Sequence, residues 1–190
     1  MSGSARAVIV LDRDGVINED SEDYVKSVTE WIPLTGSLRA MARLCQAGFR
    51  LVVVTNQSGI GRGLLTPGDL NAMHQRLRDR LAELGGQVEG IFFCPHRPDE
   101  GCGCRKPRPG LLWAMAERLG VAPSDVFVIG DSLRDLQSAW AVGAVGALVL
   151  TGKGTKTLAD HGDLLKDTAV YPDLAAAADA LLAAADRSSW

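Results

Sequence analysis

The chain has 190 residues, 46% of them hydrophobic and 23% charged, with a formal net charge of −3. That length and balance exclude a disordered segment and a disulfide-held miniprotein, and they predict one domain over residues 1–190 with a full core. The small negative charge supplies no general field for nucleic acid, so an anionic ligand would have to be held locally. No apolar run approaches the roughly 20 residues that cross a bilayer, and "MSGSAR" leads into a run too short for a signal peptide. The expectation is a soluble, cytoplasmic monomer with a small-molecule partner, and no nucleic-acid or membrane partner.

Taken in order, the apolar runs are "AVIVLD" (7–12), "FRLVVVTN" (49–56), "GIFFC" (90–94), "DVFVIGD" (125–131) and "GALVL" (146–150). They are short, uninterrupted and rich in β-branched residues, as strands buried on both faces are. Helical spacing lies between them at 36–47, 67–84, 109–119, 132–142 and 173–186. In 67–84 the apolar positions are Leu70, Met73, Leu77, Leu81 and Leu84; Thr66 caps the helix, Pro67 opens it and Gly85-Gly86 closes it. Alternating strand and helix predict an α/β fold with a doubly wound parallel sheet.

Such sheets bind ligands beyond the carboxyl ends of their strands, so the polar residues just after each run carry the chemistry. The first run ends in Asp12, with Asp14 two residues on, and the fourth in Asp131, with Asp135 one helical turn later. Carboxylates this close repel unless a cation intervenes, and an all-oxygen set suits Mg²⁺. After the second run, Thr55, Asn56, Gln57 and Ser58 offer hydroxyl, amide and backbone donors to an anion. Lys106 adds the fixed positive charge that phosphoryl transfer needs. Any one of these alone is an ordinary turn or cap; four in one order at sheet ends specify phosphoryl chemistry.

Three of the four cysteines fall within residues 94–104, "CPHRPDEGCGC", together with His96. Cys94, His96, Cys102 and Cys104 form the Cys₃His set of a closed structural Zn²⁺ site. Cys102 and Cys104 are too close in sequence for a sensible disulfide, and the aspartates already account for a nucleophile. Zinc would pin the loop so that Arg105 and Lys106 reach the anion site from a fixed backbone. Cys45 reads as core packing. "TGKGT" (151–155) lacks the spacing of a nucleotide-binding loop. Arg76, Arg78 and Arg80 read as a solvated helix face. His74 and His161 show no ligand spacing.

"DRDGVIN", "VVVTNQSG", "RKPRPG" and "VIGDSLRD" resemble the four successive motifs of the haloacid dehalogenase superfamily of aspartate-based phosphotransferases, over residues 8–135. That resemblance implies a Rossmann-like core, Asp12 as the nucleophile, and Asp14 as general acid and then base. It implies Mg²⁺ on Asp12, the backbone carbonyl of Asp14 and Asp131, supported by Asp135, with Thr55, Asn56 and Lys106 on the phosphoryl group. Only about 30 residues separate Asn18 from the second run, too few for a large cap domain. The zinc loop before "RKP" is similar to that of a small group within the superfamily. In that group "TNQSGIGRG" and "CRKPRPGLL" resemble the sugar-bisphosphate phosphatases more than the histidinol-phosphate phosphatases. The same resemblance implies contacts to the sugar or its second phosphate from Arg105, Gln57, Ser58 and the acidic stretch Asp20 to Asp23. Ser132 stands where some members of the group carry lysine. A histidinol-phosphate phosphatase, a polynucleotide 3′-phosphatase and a non-catalytic binding module remain alternatives at this level.

Overall fold

The structure is a computed structural model and describes residues 7–187. Six strands form one parallel sheet: β1 (Val8–Leu11), β2 (Arg50–Asn56), β3 (Gly90–Cys94), β4 (Phe127–Gly130), β5 (Val145–Val149) and β6 (Ala169–Tyr171). Their order is β3-β2-β1-β4-β5-β6. The central strand pairs on both sides, Val10 lying opposite Val52 of β2 and Val128 of β4. The chain builds outward from β1 to β3, then crosses back to lay β4 on the other side of β1. This reversal makes the carboxyl ends of β1 and β4 the place where the connecting loops diverge and leave a crevice.

The uninterrupted apolar runs have a direct cause. Ile9, Leu11, Leu51 and Val53 face one hydrophobic cluster, while Val8, Val10, Val52 and Val54 face a second one on the other side. The first cluster is covered by α1 (Ser37–Gln46), α3 (Pro67–Ala82) and α7 (Leu174–Arg187). The second is covered by α4 (Gly110–Leu119) and by Ala139 of α5 (Leu133–Trp140). With both faces covered, a polar side chain in mid-strand would be buried and would need a partner, so the polar residues of β2 fall at its ends.

The helix over 67–82 starts as its sequence dictates: Thr66 Oγ1 accepts from the Asp69 N–H at 3.1 Å, and the Asp69 carboxylate accepts from the Thr66 N–H at 2.8 Å. Such a capping box contributes about 1 kcal/mol. Leu84 is a correction, since the helix ends at Ala82 and Leu84 lies 37% exposed in the turn that follows. Elements that were not anticipated include the one-turn helix α2 (Ser58–Gly61), α6 (Gly154–His161) and the edge strand β6. β6 is three residues long and α6 opens in a glycine and two threonines, so neither shows a period over its own length. The segment between β1 and α1 holds isolated bridges from Asn18 to Asp14 and to Pro33 and no inserted domain.

Candidate active site

β1 and β4 end side by side, and their next residues, Asp12 and Asp131, meet across the switch point. One carboxylate oxygen each from Asp12, Asp131 and Asp135 lies within 4.8 Å of the others. Gly15 is required here: its φ is +82°, and a Cβ would stand 2.1 Å from Asp131 Oδ2. Gly152, in the loop after β5, has φ +55° and would place a Cβ 2.2 Å from the same oxygen. Asp131 is thus held between two backbone turns that only glycine can bring so near. The Lys153 N–H donates to Asp131 Oδ2 at 2.8 Å.

Lys106 is the counter-charge. Its Nζ lies 3.0 Å from Asp12 Oδ1 and 2.6 Å from Asp135 Oδ1, and it donates to the Val54 carbonyl at 2.8 Å. Burial pulls this ammonium down, but Asp12 and Asp135 outweigh it and hold Lys106 above the ordinary lysine range. Three carboxylates face one ammonium, so negative charge is left over. Burial, together with repulsion from Asp135 and Asp14 and against the attraction of Lys106, pushes Asp12 up to about 6. Burial and the neighbouring Asp12 and Asp135 push Asp131 up to about 8. A pocket whose carboxyl groups resist ionisation this strongly is one that a divalent cation fits. The Arg13 N–H and Lys106 both contact Asp12 through Oδ1, so the carboxylate is anchored by one oxygen.

The cleft above these groups has a volume of about 350 Å³ and is lined by Asp12, Asp14, Thr55, Ser58, Arg105 and Lys106 together with Asp20, Arg134 and Lys153. Several sequence-picked residues reach it, but not all as expected. Gln57 is 5% exposed and spends its amide on the protein, donating to Asp14 Oδ2 at 2.8 Å and Thr55 Oγ1 at 3.0 Å while accepting from Arg13 at 3.2 Å. Asn56 clasps the Lys106 backbone in both directions at 3.1 Å, joining the end of β2 to the lysine it serves. The Asp14 carboxylate lies outside the three-acid cluster and turns to Arg13, Asn18 and Gln57. Asp23 does not line the cleft, whereas Asp20 does, in an ion pair with Lys153. Ser132 and Asp135 form the capping box of α5, with Ser132 Oγ donating to Asp135 at 2.6 Å.

Lys153, Arg134 and Arg13 were not singled out from sequence. Lys153 follows the fifth apolar run and the same strand-end rule would have found it. Arg134 sits inside "GDSLRD" on the exposed side of the helix. Arg13 gives no signal, because strand alternation predicts that it points away from Asp12 and Asp14, whereas in the structure its guanidinium turns to Asp14.

Beside this cleft, Cys94, His96, Cys102 and Cys104 converge. Cys104 Sγ stands 3.2 Å from Cys94 Sγ and from His96 Nδ1, and 3.5 Å from Cys102; Cys94 is 3.6 Å from both Cys102 and His96. The sulfurs are far beyond disulfide length and near the edge of a tetrahedron around a metal with bonds of about 2.3 Å. Burial and the adjoining Cys104 and Cys102 push the Cys94 thiol up to about 12. Cys104 is raised as well, mainly by burial, whereas at Cys102 burial is outweighed by hydrogen bonds from Cys104 and the Arg105 backbone, which lower it to about 7. Holding Cys94 and Cys104 as thiolates beside Cys102 needs a cation, and the donor set fits zinc. Arg108, which the sequence did not mark, braces the loop by donating to the carbonyls of Gly101 and Cys102. Cys45 is half-buried against the first core cluster, its thiol donating to the Gln87 carbonyl at 3.1 Å.

Comparison with known proteins agrees with this geometry. Residues 103–177 match the HAD-hydrolase-like family. The chain is 52% identical over 178 residues to the D-glycero-beta-D-manno-heptose-1,7-bisphosphate 7-phosphatase of Pseudomonas aeruginosa, covering 94% of this chain and 99% of that one. The crystal structure of D,D-heptose 1,7-bisphosphate phosphatase from B. bronchiseptica, complexed with magnesium and phosphate, superposes with a TM-score of 0.90 at 52% identity over 93% of this chain and 98% of that one. The corresponding enzyme from Burkholderia thailandensis gives a TM-score of 0.73 at 46% identity over 93% and 99% of the two chains. With half its residues shared along nearly its whole length, and with the acids, the lysine and the thiol cluster assembled as described, the chain belongs to the D-glycero-beta-D-manno-heptose-1,7-bisphosphate 7-phosphatase family of haloacid dehalogenase-like hydrolases.

Proposed function

We propose that this protein removes the C7 phosphate of D-glycero-β-D-manno-heptose 1,7-bisphosphate in the cytoplasm, supplying sugar phosphate for nucleotide-activated heptose and so for a surface glycan such as lipopolysaccharide core. The observation that carries the reading is the placement of Asp12 at the switch point, 3.0 Å from the buried Lys106 and beside Asp131. Asp12 attacks phosphorus while the bond to the sugar oxygen breaks, giving an aspartyl-phosphate and the alcohol. Asp14 gives its proton to the departing oxygen, then takes one from the water that cleaves the acyl phosphate and regenerates Asp12. Lys106 and the Thr55 hydroxyl face the transferring phosphoryl group. Asn56 keeps Lys106 in place through its backbone.

Asp12, Asp131 and the backbone carbonyl of Asp14 are the groups that would hold Mg²⁺, with Asp135 behind them. When bound, the cation neutralises the charge between nucleophile and phosphate. Cys94, His96, Cys102 and Cys104 would hold a structural Zn²⁺, which fixes the loop leading into Arg105 and Lys106. Arg105, Ser58, Arg134, Lys153 and Asp20 line the side of the cleft where the sugar and its second phosphate would lie. The cleft is lined by residues of one chain, and we take the protein to act as a monomer.

Phosphate release in the presence of Mg²⁺, measured side by side on heptose 1,7-bisphosphate and histidinol phosphate, tests the reading. A kcat/KM at least tenfold higher for the heptose supports it; preference for histidinol phosphate would overturn the substrate and leave the mechanism. Loss of all release in Asp12→Asn is expected, and retained release would remove the mechanism too.

A further inference from the structure

Asp14 must point at a leaving oxygen and later at a water; its carboxylate lines the cleft with Asp12 but lies outside the three-acid cluster, held by a buried arginine. Arg13 is wholly buried. Its Nε donates to Asp14 Oδ1 at 3.0 Å and its Nη2 to Asp14 Oδ2 at 3.0 Å, a two-pronged fork. The same Nη2 donates to Gln57 Oε1 at 3.2 Å, and Gln57 Nε2 donates to Asp14 Oδ2 at 2.8 Å. Arg13, Gln57 and Asp14 therefore close a ring of hydrogen bonds. Asn18 adds a fourth donor, its Nδ2 lying 2.8 Å from Asp14 Oδ1, and is itself fixed by the buried Trp31, whose Nε1 donates to Asn18 Oδ1 at 2.9 Å.

Burying a guanidinium is costly, and Asp14 is the only carboxylate paired with it among the described residues. A core plug would be cheaper as leucine or methionine. Arginine brings what those cannot: a planar fork that sets the plane of a carboxylate as well as its charge. Asp14 is the residue in this site whose aim matters most, because proton transfer requires its oxygen within hydrogen-bond reach of the reacting atom.

We infer that Arg13, closed into a ring by Gln57, is a positioning residue that aims Asp14 for proton transfer. The inference rests on the phosphatase reading above, in which Asp14 is the general acid and base. The Arg13 side chain touches neither substrate nor metal in this scheme; it acts on Asp14, directly and through Gln57.

The test separates aim from fold by using two phosphate esters in single-turnover experiments with the Mg²⁺-loaded full chain. The heptose bisphosphate has an alcohol leaving group that needs a proton, whereas 4-nitrophenyl phosphate releases nitrophenolate without one. Arg13→Lys keeps the charge but lacks the fork, and Arg13→Met keeps the bulk. Both are expected to slow sugar release by about 100-fold, the effect of misplacing a catalytic group by roughly an ångström. The nitrophenolate burst is expected to change less than about threefold, outside the range that loss of acid catalysis produces. Asp14→Asn should show the same split, and adding Arg13→Met to it should bring no further loss. If the Arg13 variants do not fold, Gln57→Met opens the ring from its other side and should show the same split. Equal losses on the two esters, or none, would overturn the inference while leaving the phosphatase reading intact. A wild type that cleaves neither ester would sink both together.

Discussion

Lys106 Nζ and Asp135 Oδ1 lie 2.6 Å apart, and both side chains are at most 5% exposed. Asp135 also caps α5 through Ser132 and accepts from its backbone N–H at 3.0 Å. The pair therefore ties the segment after the zinc loop to the helix that follows β4. It holds the lysine between two acids, Asp12 and Asp135.

Removing that ammonium leaves Asp12, Asp131 and Asp135 buried without compensation. Lys106→Met is expected to destabilise the metal-free protein by about 3–5 kcal/mol, as loss of one partner of a buried pair does. Urea unfolding in chelator measures this, and added Mg²⁺ should recover part of the loss because it resupplies positive charge. Activity should remain at least about 100-fold down even with Mg²⁺, because the charge facing the phosphoryl oxygens is gone. Full recovery by Mg²⁺ would mean that the lysine only neutralises.

His74 gives the acid side of the stability profile a specific cause. It is 7% exposed, its Nε2 makes no hydrogen bond among the described residues, and its ring centre lies 6.2 Å from that of Phe93. Burial, then the charges of Arg13 and Arg78, lower its pKa from 6.5 to about 4. Between these values the unfolded chain binds the proton that the folded one refuses. Stability from this group is thus full above about pH 6.5 and lost as pH falls toward 4, by on the order of 3 kcal/mol in all and about 2 kcal/mol by pH 5. The difference in unfolding free energy between pH 7.5 and pH 5 should shrink by about 2 kcal/mol in His74→Leu, and an unchanged difference would assign the acid sensitivity elsewhere.

Cys104 is two residues from Lys106, so the thiol cluster and the cleft share one short stretch of backbone. Cys104→Ala, or prolonged chelation with a zinc-selective reagent, is expected to lower the melting temperature and to cost about 100-fold in activity through misplacement of Lys106. Elemental analysis should find one zinc per wild-type chain and less in the variant. A zinc-free wild type with full activity would refute the assignment.

Lys153 pairs with Asp20 across the mouth of the cleft, joining the loop after β5 to the loop after β1. Both side chains are partly exposed, so Lys153→Ala should change stability by less than about 1 kcal/mol. Its charge faces the side where the second phosphate would lie. KM for the bisphosphate should rise about tenfold, the worth of roughly 1.4 kcal/mol of binding, with kcat little changed. An equal rise for 4-nitrophenyl phosphate, which has no second phosphate, would rule out that role.

How far the amino-acid pattern reaches is clear from particular residues. The five long strands were legible because Val8 to Leu11 and Leu51 to Val54 alternate between two buried faces, so both parities must be apolar. Asp12 and Asp131 were legible because strand ends in such a sheet converge on one edge, the Cys94, His96, Cys102 and Cys104 cluster because its spacing is local, and Lys106 from its place just after that cluster. The three-residue β6 and the threonine-rich α6 carry too few periodic positions to announce themselves.

What side chains do with their hydrogen-bonding groups was decided only by the tertiary structure. Gln57 and Asn56 could equally have offered their amides to a phosphate, and Asp23 could have faced the cleft as Asp20 does. The outcome depends on what the opposite element presents: Arg13 and Asp14 to Gln57, the Lys106 backbone to Asn56, and Lys153, 133 residues away in sequence, to Asp20. The pattern of apolar residues sets where the backbone goes, because burial depends on one residue's face. A polar partnership needs two residues to arrive together, and that coincidence is a property of the folded chain.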